Sequence, residues 1–331
     1  MKKDPTNIYQ KSIQKVIKES NLFINKRQTQ HLIQKKPSAP NLKAQLKLHK
    51  TNNPIRPVIN NRTAPAYKLT KHLTKIPQQQ ISLNNQYNTN SSANLANTLK
   101  DIPVQDNHKM ITFDIKDLYV NIPIDETINI IKTKLQQNNN RQVTYQIIAM
   151  IKTVLQQNYF AFQQTIYQPR EGISMGSPIS GIIAEIFLQN YEDNHIKQNL
   201  DTKSILYYTR YVDIFIIYDE TKTNPQTINT QINKIHNNMK FTPTHEEHNT
   251  INYLDLTIRR HDNRLTIDIY RKPTATDTTI NFLSNHPIEQ QMATFRSYLN
   301  RMHALPLSQE GKQKEWKTIQ TIAKTITFLN T

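Results

Sequence analysis

The chain has 331 residues, with 42 Lys and Arg against 25 Asp and Glu, a formal net charge of +17 at pH 7. It contains no cysteine, which excludes a disulfide scaffold, a thiolate zinc site and a cysteine nucleophile. Its apolar runs are too short for a membrane-spanning helix, and the N-terminal MKKDPTNIYQ lacks the apolar stretch of a secretory signal.

The charge is uneven. Residues 1–75 carry 17 Lys and Arg against Asp4 and Glu19 alone, and no acidic residue occurs between Glu19 and Asp101. Such a block fits a polyanion, because phosphate contacts release condensed counterions. A solvated basic surface is the plainer alternative, although mixed signs would serve solubility better. Pro37, Pro40, Pro54, Pro57 and Pro65 interrupt the block and rule out one continuous amphipathic helix on a membrane surface.

In chain order, Ile8, Ile13, Val16 and Ile17, with the Leu and Ile positions that follow, predict helix over 8–33. Residues 37–66 are basic and proline-punctuated, which predicts loop and short strands. Asn84–Asn97 is polar and reads as connecting structure running into a short helix. Met110–Ile115 predicts a buried strand. Ile124, Ile128, Ile131 and Leu135 recur at helical spacing behind Pro123, and Val143, Ile147, Ile151 and Leu155 mark the next helix. Tyr159–Gln168 predicts a hairpin, and Ser177-Pro178 a helix start continuing to Lys197. Ser204–Tyr211 and Ile214–Tyr218 predict two strands around a tight turn, followed by an amphipathic helix with Ile228, Ile232, Ile235 and Met239. Thr250–Arg260 and Arg264–Tyr270 pair across His261, Asp262 and Asn263. Helices follow over about 287–304 and 309–329, the second with Trp316, Ile319, Ala323 and Ile326 on one apolar face. Antiparallel hairpins set among helices predict an α+β fold.

Of only four glycines, Gly172, Gly176 and Gly181 fall within EGISMGSPISG (171–181). Such clustering predicts unusual backbone angles or close backbone approach. A loop of this kind feeding a helix suits contact with phosphate, sugar or base, an ordinary turn and cap being the alternative. Asp114 interrupts the apolar run ITFDI, and Asp213 stands in RYVDIFIIYD at the predicted hairpin tip. A carboxylate in an apolar strand is costly without a partner. Two hard oxygen ligands from adjacent strands can bind Mg²⁺ beside a nucleoside triphosphate, and two such ions would activate a 3′-hydroxyl and stabilise leaving pyrophosphate. For either aspartate alone, capping a turn or pairing with Lys116 or Arg210 is the competing explanation.

FDIKDLYVNIP (113–123), EGISMGSPIS (171–180) and RYVDIFII (210–217) resemble motifs A, B and C of a reverse transcriptase palm. The resemblance is closer to the reverse transcriptases of Penelope-like retroelements, a family related to telomerase reverse transcriptase. KLHKTNNPIRPV (47–58) is similar to a segment of their fingers, and MKFTPTHEEHNTINYLDLTI (239–258) to their motifs D and E. YRKPTATDTTI, SNHP and an Arg-bearing helix (270–301) are similar to the segment after their palm. The likeness covers roughly residues 40–305, in six ordered motifs.

The resemblance implies a right-hand polymerase fold. A basic N-terminal region and fingers would occupy 1–105. An antiparallel-sheet palm flanked by helices would occupy 106–260, with some fingers helices between motifs A and B. A post-palm hairpin and short helical thumb would occupy 261–331. The implied activity is that of an RNA-directed DNA polymerase of a retrotransposable element, with two Mg²⁺ or Mn²⁺ ions, an RNA template, a DNA primer and deoxynucleoside triphosphates. A nuclear location is implied, a cytoplasmic one otherwise, and no membrane partner.

By position, the resemblance makes Asp114 and Asp213 catalytic metal ligands, with the Ile115 carbonyl as a further ligand. Tyr119 would be the gate against a ribose 2′-hydroxyl, or simply a core tyrosine. Gly172, Met175, Gly176, Ser177 and Pro178 would floor the templating pair and incoming nucleotide. Arg56 and Lys50 would reach triphosphate or template, nonspecific phosphate contact being the alternative. Lys47, His49 and Tyr211 would contact nucleic acid. Lys240 would protonate leaving pyrophosphate, or be merely solvated. Tyr253, Leu254 and Asp255 would lie near the primer grip or form a core strand.

The sequence departs from the family in two ways. Motif C normally has adjacent aspartates, whereas Ile214 follows Asp213, as though one Asp had been deleted. Such a loss would alter the hairpin tip or change the face of later side chains. Asp219 is too far along the strand to substitute. A GIY-YIG endonuclease is absent and the thumb is short, which implies weak grip on template–primer. The alternative is therefore a catalytically impaired element remnant acting as a nonenzymatic nucleic-acid-binding protein.

Overall fold

The computed structural model describes residues 3–47, 53–81, 83, 87–196, 204–276 and 278–325. The N-terminal elements are α1 (Thr6–Glu19), α2 (Lys26–Leu32), β1 (Asn41–Leu46), β2 (Ile55–Asn60), α3 (Tyr67–Leu73), α4 (Lys75–Gln80) and α5 (Ser92–Leu99). Next come β3 (His108–Ile115), α6 (Leu118–Asn121), α7 (Ile124–Asn138), α8 (Arg141–Leu155), β4 (Phe160–Phe162), β5 (Thr165–Tyr167) and α9 (Ser180–Tyr191), which ends in a π-helical turn, Glu192–Ile196. The rest are β6 (Ile205–Tyr211), β7 (Asp213–Asp219), α10 (Pro225–Lys234), β8 (Phe241–His245), β9 (Thr250–Tyr253), β10 (Leu256–His261), β11 (Arg264–Ile269), α11 (Ile288–Ala304) and α12 (Gln309–Thr325). Among the described residues no helix is long and apolar enough to cross a membrane. The α+β class is as expected.

Backbone packing divides the chain into two units. Met1–Gln86, Ile115–Gln198 and Asn233–Lys240 form one; Tyr87–Asp114, Asn199–Ile232 and Phe241–Thr331 form the other.

In the first unit, α7 and α8 pack together, with α1 against α8 and α9 against α7. Their apolar stripes supply Ile13, Ile17, Ile131, Leu135, Ile147 and Ile151, all buried. The helix expected over 8–33 is two. The Ser20 hydroxyl donates to the Val16 carbonyl at the end of α1, and Asn25 starts α2 through a reciprocal cap with Gln28. The helix expected from Ser177 begins instead at Ser180, because the Ser177 N–H bonds to the Ser174 carbonyl in a preceding turn. A four-stranded sheet has the order β2-β1-β4-β5, and its β4–β5 hairpin is the one predicted over Tyr159–Gln168.

The second unit holds a sheet of order β6-β7-β3-β8 and a three-stranded sheet of order β11-β10-β9. β3 is an inner strand, and its nearly continuous burial means that side chains on both of its faces are covered. The β10–β11 hairpin turns at Asp262 and Asn263, both at positive φ, as HDN predicts. The single strand expected over Thr250–Arg260 is two. β9 and β10 pair antiparallel and fold back through Leu254 and Asp255, so neither lies in a strand. Leu254 takes φ +56 there, a conformation for which a leucine gives no sequence signal.

The apolar core of this unit joins α5, β3, β7, the three-stranded sheet, α11 and α12. On α12, Ile319 and Ala323 are buried as expected, but Trp316 is 46% exposed and Ile326 lies outside the described residues. The unexpected buried group is Glu315. Its carboxylate accepts two bonds from the Arg271 guanidinium, at 2.5 and 2.6 Å, and Arg301 stands 3.8 Å away. The Arg271 and Arg301 side chains are 26% and 27% exposed, so losing the carboxylate removes charged hydrogen bonds and leaves cations that water can partly solvate. Glu315→Gln is expected to cost about 2 kcal/mol, seen as a lower urea midpoint at unchanged slope.

Candidate active site

The sheet of the second unit positions the two candidate catalytic carboxylates. β3 and β7 run antiparallel, in register from His108↔Asp219 to Phe113↔Ile214. Continued one rung beyond the last pair, this register sets Asp114 opposite Asp213, and both line one cleft. Opposite residues in antiparallel strands project to the same face, with Cα atoms roughly 4.5–5.5 Å apart. Phe113 and Ile214 are buried on the other face, whereas Asp114 is exposed and Asp213 half-buried. Two carboxylates opposed on one face can share a divalent cation.

The turn before Asp213 is unusually short. Tyr211 pairs with Asp213, leaving Val212 alone between them at φ +66. Tight hairpins usually close with two residues, and a β-branched residue in the left-handed region costs about 1–3 kcal/mol. Tyr253 on β9 supports this tip. Its hydroxyl donates to the Asp213 carbonyl at 2.6 Å and accepts from the Tyr211 N–H at 3.0 Å. The Tyr253 ring is buried beside Phe215, with centroids 5.5 Å apart. Burial pushes the Tyr253 hydroxyl well above its ordinary pKa, with the Tyr211 N–H acting in the opposite direction. It therefore remains a donor at neutral pH.

A cleft of about 680 Å³ is lined by Asp114, Tyr211, Asp213 and Leu254, together with Tyr270 and Lys272. The first four were anticipated from the sequence. Tyr270 and Lys272 were not singled out, although both fall in the YRKP segment. Asp255 is not among the lining residues; its carboxylate stands 3.4 Å from the Arg301 guanidinium.

Asp219 lies opposite His108, at the other end of β7 from Asp213. It accepts from the Thr221 hydroxyl at 2.6 Å, the Lys222 ammonium at 2.9 Å and the Asn107 amide at 2.8 Å. These partners, Thr221 foremost, hold its carboxyl well below the usual range. It therefore does not stand in for a second hairpin aspartate.

The glycine loop belongs to the first unit and is built against backbone. The Ile173 N–H donates to the Tyr119 carbonyl at 2.7 Å, and the Ile59 N–H to the Met175 carbonyl at 2.8 Å. The Asn158 amide donates to the Gly172 carbonyl at 3.0 Å. Gly172 has φ +76, and a Cβ there would stand 2.3 Å from the Val120 carbonyl oxygen. Gly176 has φ +109, and a Cβ would stand 2.3 Å from the Ile59 carbonyl oxygen. Both therefore need glycine for backbone angle and for close approach. At Gly181 a Cβ would meet nothing within 4 Å.

Lys47, Arg56, Tyr119 and Met175 line a cavity of about 280 Å³ in this unit, with Phe160 and Glu171. Ser177 and Pro178 line a separate one of about 30 Å³. Lys240 is exposed, and its carbonyl accepts from the Lys116 N–H at 2.9 Å. The Ile115 side chain is buried. His49 and Lys50 lie outside the described residues.

Among the described residues, no group of three or more His, Cys, Asp or Glu is arranged to hold a metal. Mg²⁺ does not require such a cage, since it is commonly held by one or two carboxylates with water and substrate phosphates. The Asp114–Asp213 pair fits that donor set.

No protein-family model and no curated protein matches the sequence. Solved structures do match. Telomerase from Candida albicans, in complex with a TWJ fragment of telomeric RNA, is similar at TM-score 0.61 and 12% identity, over 89% of this chain and 57% of that chain. The corresponding Candida tropicalis complex is similar at TM-score 0.52 and 14% identity, over 89% of this chain and 54% of that one. The RNA polymerase complex inside a dsRNA virus gives TM-score 0.54 and 11% identity, over 86% and 26%. The chain thus spans little more than half of the telomerase chains. At these identities the likeness is one of fold, a polymerase-like α+β fold with antiparallel sheets.

Gly176→Ala is expected to cost about 2 kcal/mol, measured by urea unfolding, because the new Cβ meets backbone at an unfavourable φ. Asp219 supplies a pH test. Its folded pKa is depressed, so its stabilisation is present above the unfolded carboxyl pKa, roughly 4, and fades as pH falls. Asp219→Asn should flatten that part of the acid stability curve.

Proposed function

We propose that this chain is a template-directed nucleotide polymerase, more finely an RNA-directed DNA polymerase of Penelope-like retroelement ancestry. The observation that carries this reading is the β3–β7 register, which, continued by one rung, sets Asp114 opposite Asp213, with both lining one open cleft. The order of the three palm motifs and the fold likeness support it.

Asp114 and Asp213 would hold two Mg²⁺ or Mn²⁺ ions, with the carbonyl of Ile115 as a further ligand. Bound there, the ions would supply Lewis acidity at the reacting phosphate and primer hydroxyl. The chain's own groups would bind and orient. Lys47 and Arg56 offer positive charge around their cavity for a triphosphate, and Tyr119 offers a ring to exclude a ribose 2′-hydroxyl. The glycine loop, held by backbone bonds, gives a rigid floor, and rigidity preserves the orientation on which transfer depends. Tyr211 and Lys272 would contact an RNA template or DNA primer strand, and the basic N-terminal block would add unspecific attraction to phosphates. A nuclear location accords with this ancestry.

One observation favours a second reading, a nonenzymatic nucleic-acid binder. The hairpin tip offers one aspartate on a one-residue turn, where the family has two adjacent aspartates.

Primer extension separates the readings. The purified chain is expected to extend a DNA primer on RNA with Mg²⁺ or Mn²⁺, and Asp114→Ala to lower the rate at least about a hundredfold. Salt-sensitive binding without extension would overturn the polymerase reading. Extension only after an Asp is inserted behind Asp213 would identify a scaffold disabled at its hairpin.

A further inference from the structure

We propose that Tyr253 is a positioning residue for the metal site. Its hydroxyl staples the shortened hairpin and thereby sets the place of Asp213. The inference rests on the polymerase reading for its purpose, but its geometry stands independently.

Three observations carry it. First, a single residue separates the paired Tyr211 and Asp213, and that residue is a valine at φ +66. A turn so short and strained does not hold its own shape well, because valine disfavours that conformation. Second, the Tyr253 hydroxyl bonds to backbone on both sides of Val212, donating to the Asp213 carbonyl and accepting from the Tyr211 N–H. One hydroxyl thus closes both arms of the turn. Third, the oxygen is held rigidly: the ring is 4% exposed and packs beside Phe215, itself fully buried on β7. The tip is referenced to the core through this side chain. Carboxylate position decides metal affinity, and small displacements at a reacting centre are costly.

Tyr253→Phe removes the hydroxyl and keeps the packed ring. Tyr207→Phe is the control, since Tyr207 also packs edge-on near Phe215, at 6.3 Å, and makes neither of the tip hydrogen bonds. Three quantities are read on the full chain: amide exchange at Tyr211 and Asp213, Mn²⁺ affinity by electron paramagnetic resonance, and the metal dependence of extension. In Tyr253→Phe, exchange of the Tyr211 amide is expected to rise about tenfold. Mn²⁺ affinity should fall by a similar factor, and extension should recover at raised metal concentration. Tyr207→Phe should leave exchange at the tip and Mn²⁺ affinity unchanged.

Unchanged Tyr211 exchange or unchanged Mn²⁺ affinity in Tyr253→Phe overturns the proposal, as does equal loss in Tyr207→Phe. Absence of Mn²⁺ uptake by the natural chain overturns it too. If the natural chain takes up Mn²⁺ and shows the expected difference but extends no primer, the polymerase reading falls and the staple stands.

Discussion

The register between β3 and β7 is the constraint on which the candidate chemistry depends. It is set by burial rather than by the aspartates. Ile111, Phe113, Phe215 and Ile217 are all fully buried, and each pairs across the two strands within one continuous ladder. Ile111 and Phe113 lie on one face and Phe215 and Ile217 on the other, so a slip of one residue would exchange two packed faces, at roughly 1–3 kcal/mol for each side chain forced into a space of the wrong shape. The carboxylates therefore inherit their opposition from the hydrophobic pattern beside them. Asp114 and Asp213 need only occupy the next rung.

A similar division of labour holds in the first unit. The glycine loop has no room for side chains where it meets Val120 and Ile59. Its shape is fixed by carbonyl and amide partners on neighbouring segments, so its exposed side can be polar without loosening it. Arg56 lies in β2, whose partner register with β1 runs from Asn41↔Asn60 to Leu46↔Ile55. A basic side chain on a paired strand is held more closely in place than one on a free loop.

Much of this was legible in the sequence because it was encoded locally. Helical spacing marked α7 and α8, the run before Asp114 marked β3, and HDN marked the β10–β11 turn. The glycine cluster was readable because so few other glycines compete with it. What could not be read was encoded at a distance or without a residue signature. Glu315 looks like a solvated helix residue until Arg271, 44 positions earlier in the chain, is brought beside it. Leu254 gives no turn signal, so two strands read as one. Asn25 and Gln28 do form a cap signature, but the apolar period running through them favours a single long helix. The missing aspartate of the hairpin was visible; how the turn would close without it was not.

That closure is a problem of geometry. A one-residue tip must still deliver β7 into its ladder with β3, because the core fixes that pairing. The adjustment therefore falls on Val212 and on β6, the last strand of the sheet. β6 shifts register at an irregularity between Ile205 and Tyr207, whereas β7 pairs with β3 without a break. A bulge lets one strand carry an extra residue while its partner stays in place, and near the tip β6 is held on its outer side as well, where the Arg210 backbone bonds to Tyr87 and Thr89. The strand bearing Asp213 is thus protected from the shortened turn, and the remaining freedom is concentrated at the tip, where the Tyr253 hydroxyl binds both arms. A one-residue hairpin tip can be accommodated without disturbing the inner strands, provided that the strain remains in the turn and a buried group outside the hairpin holds it.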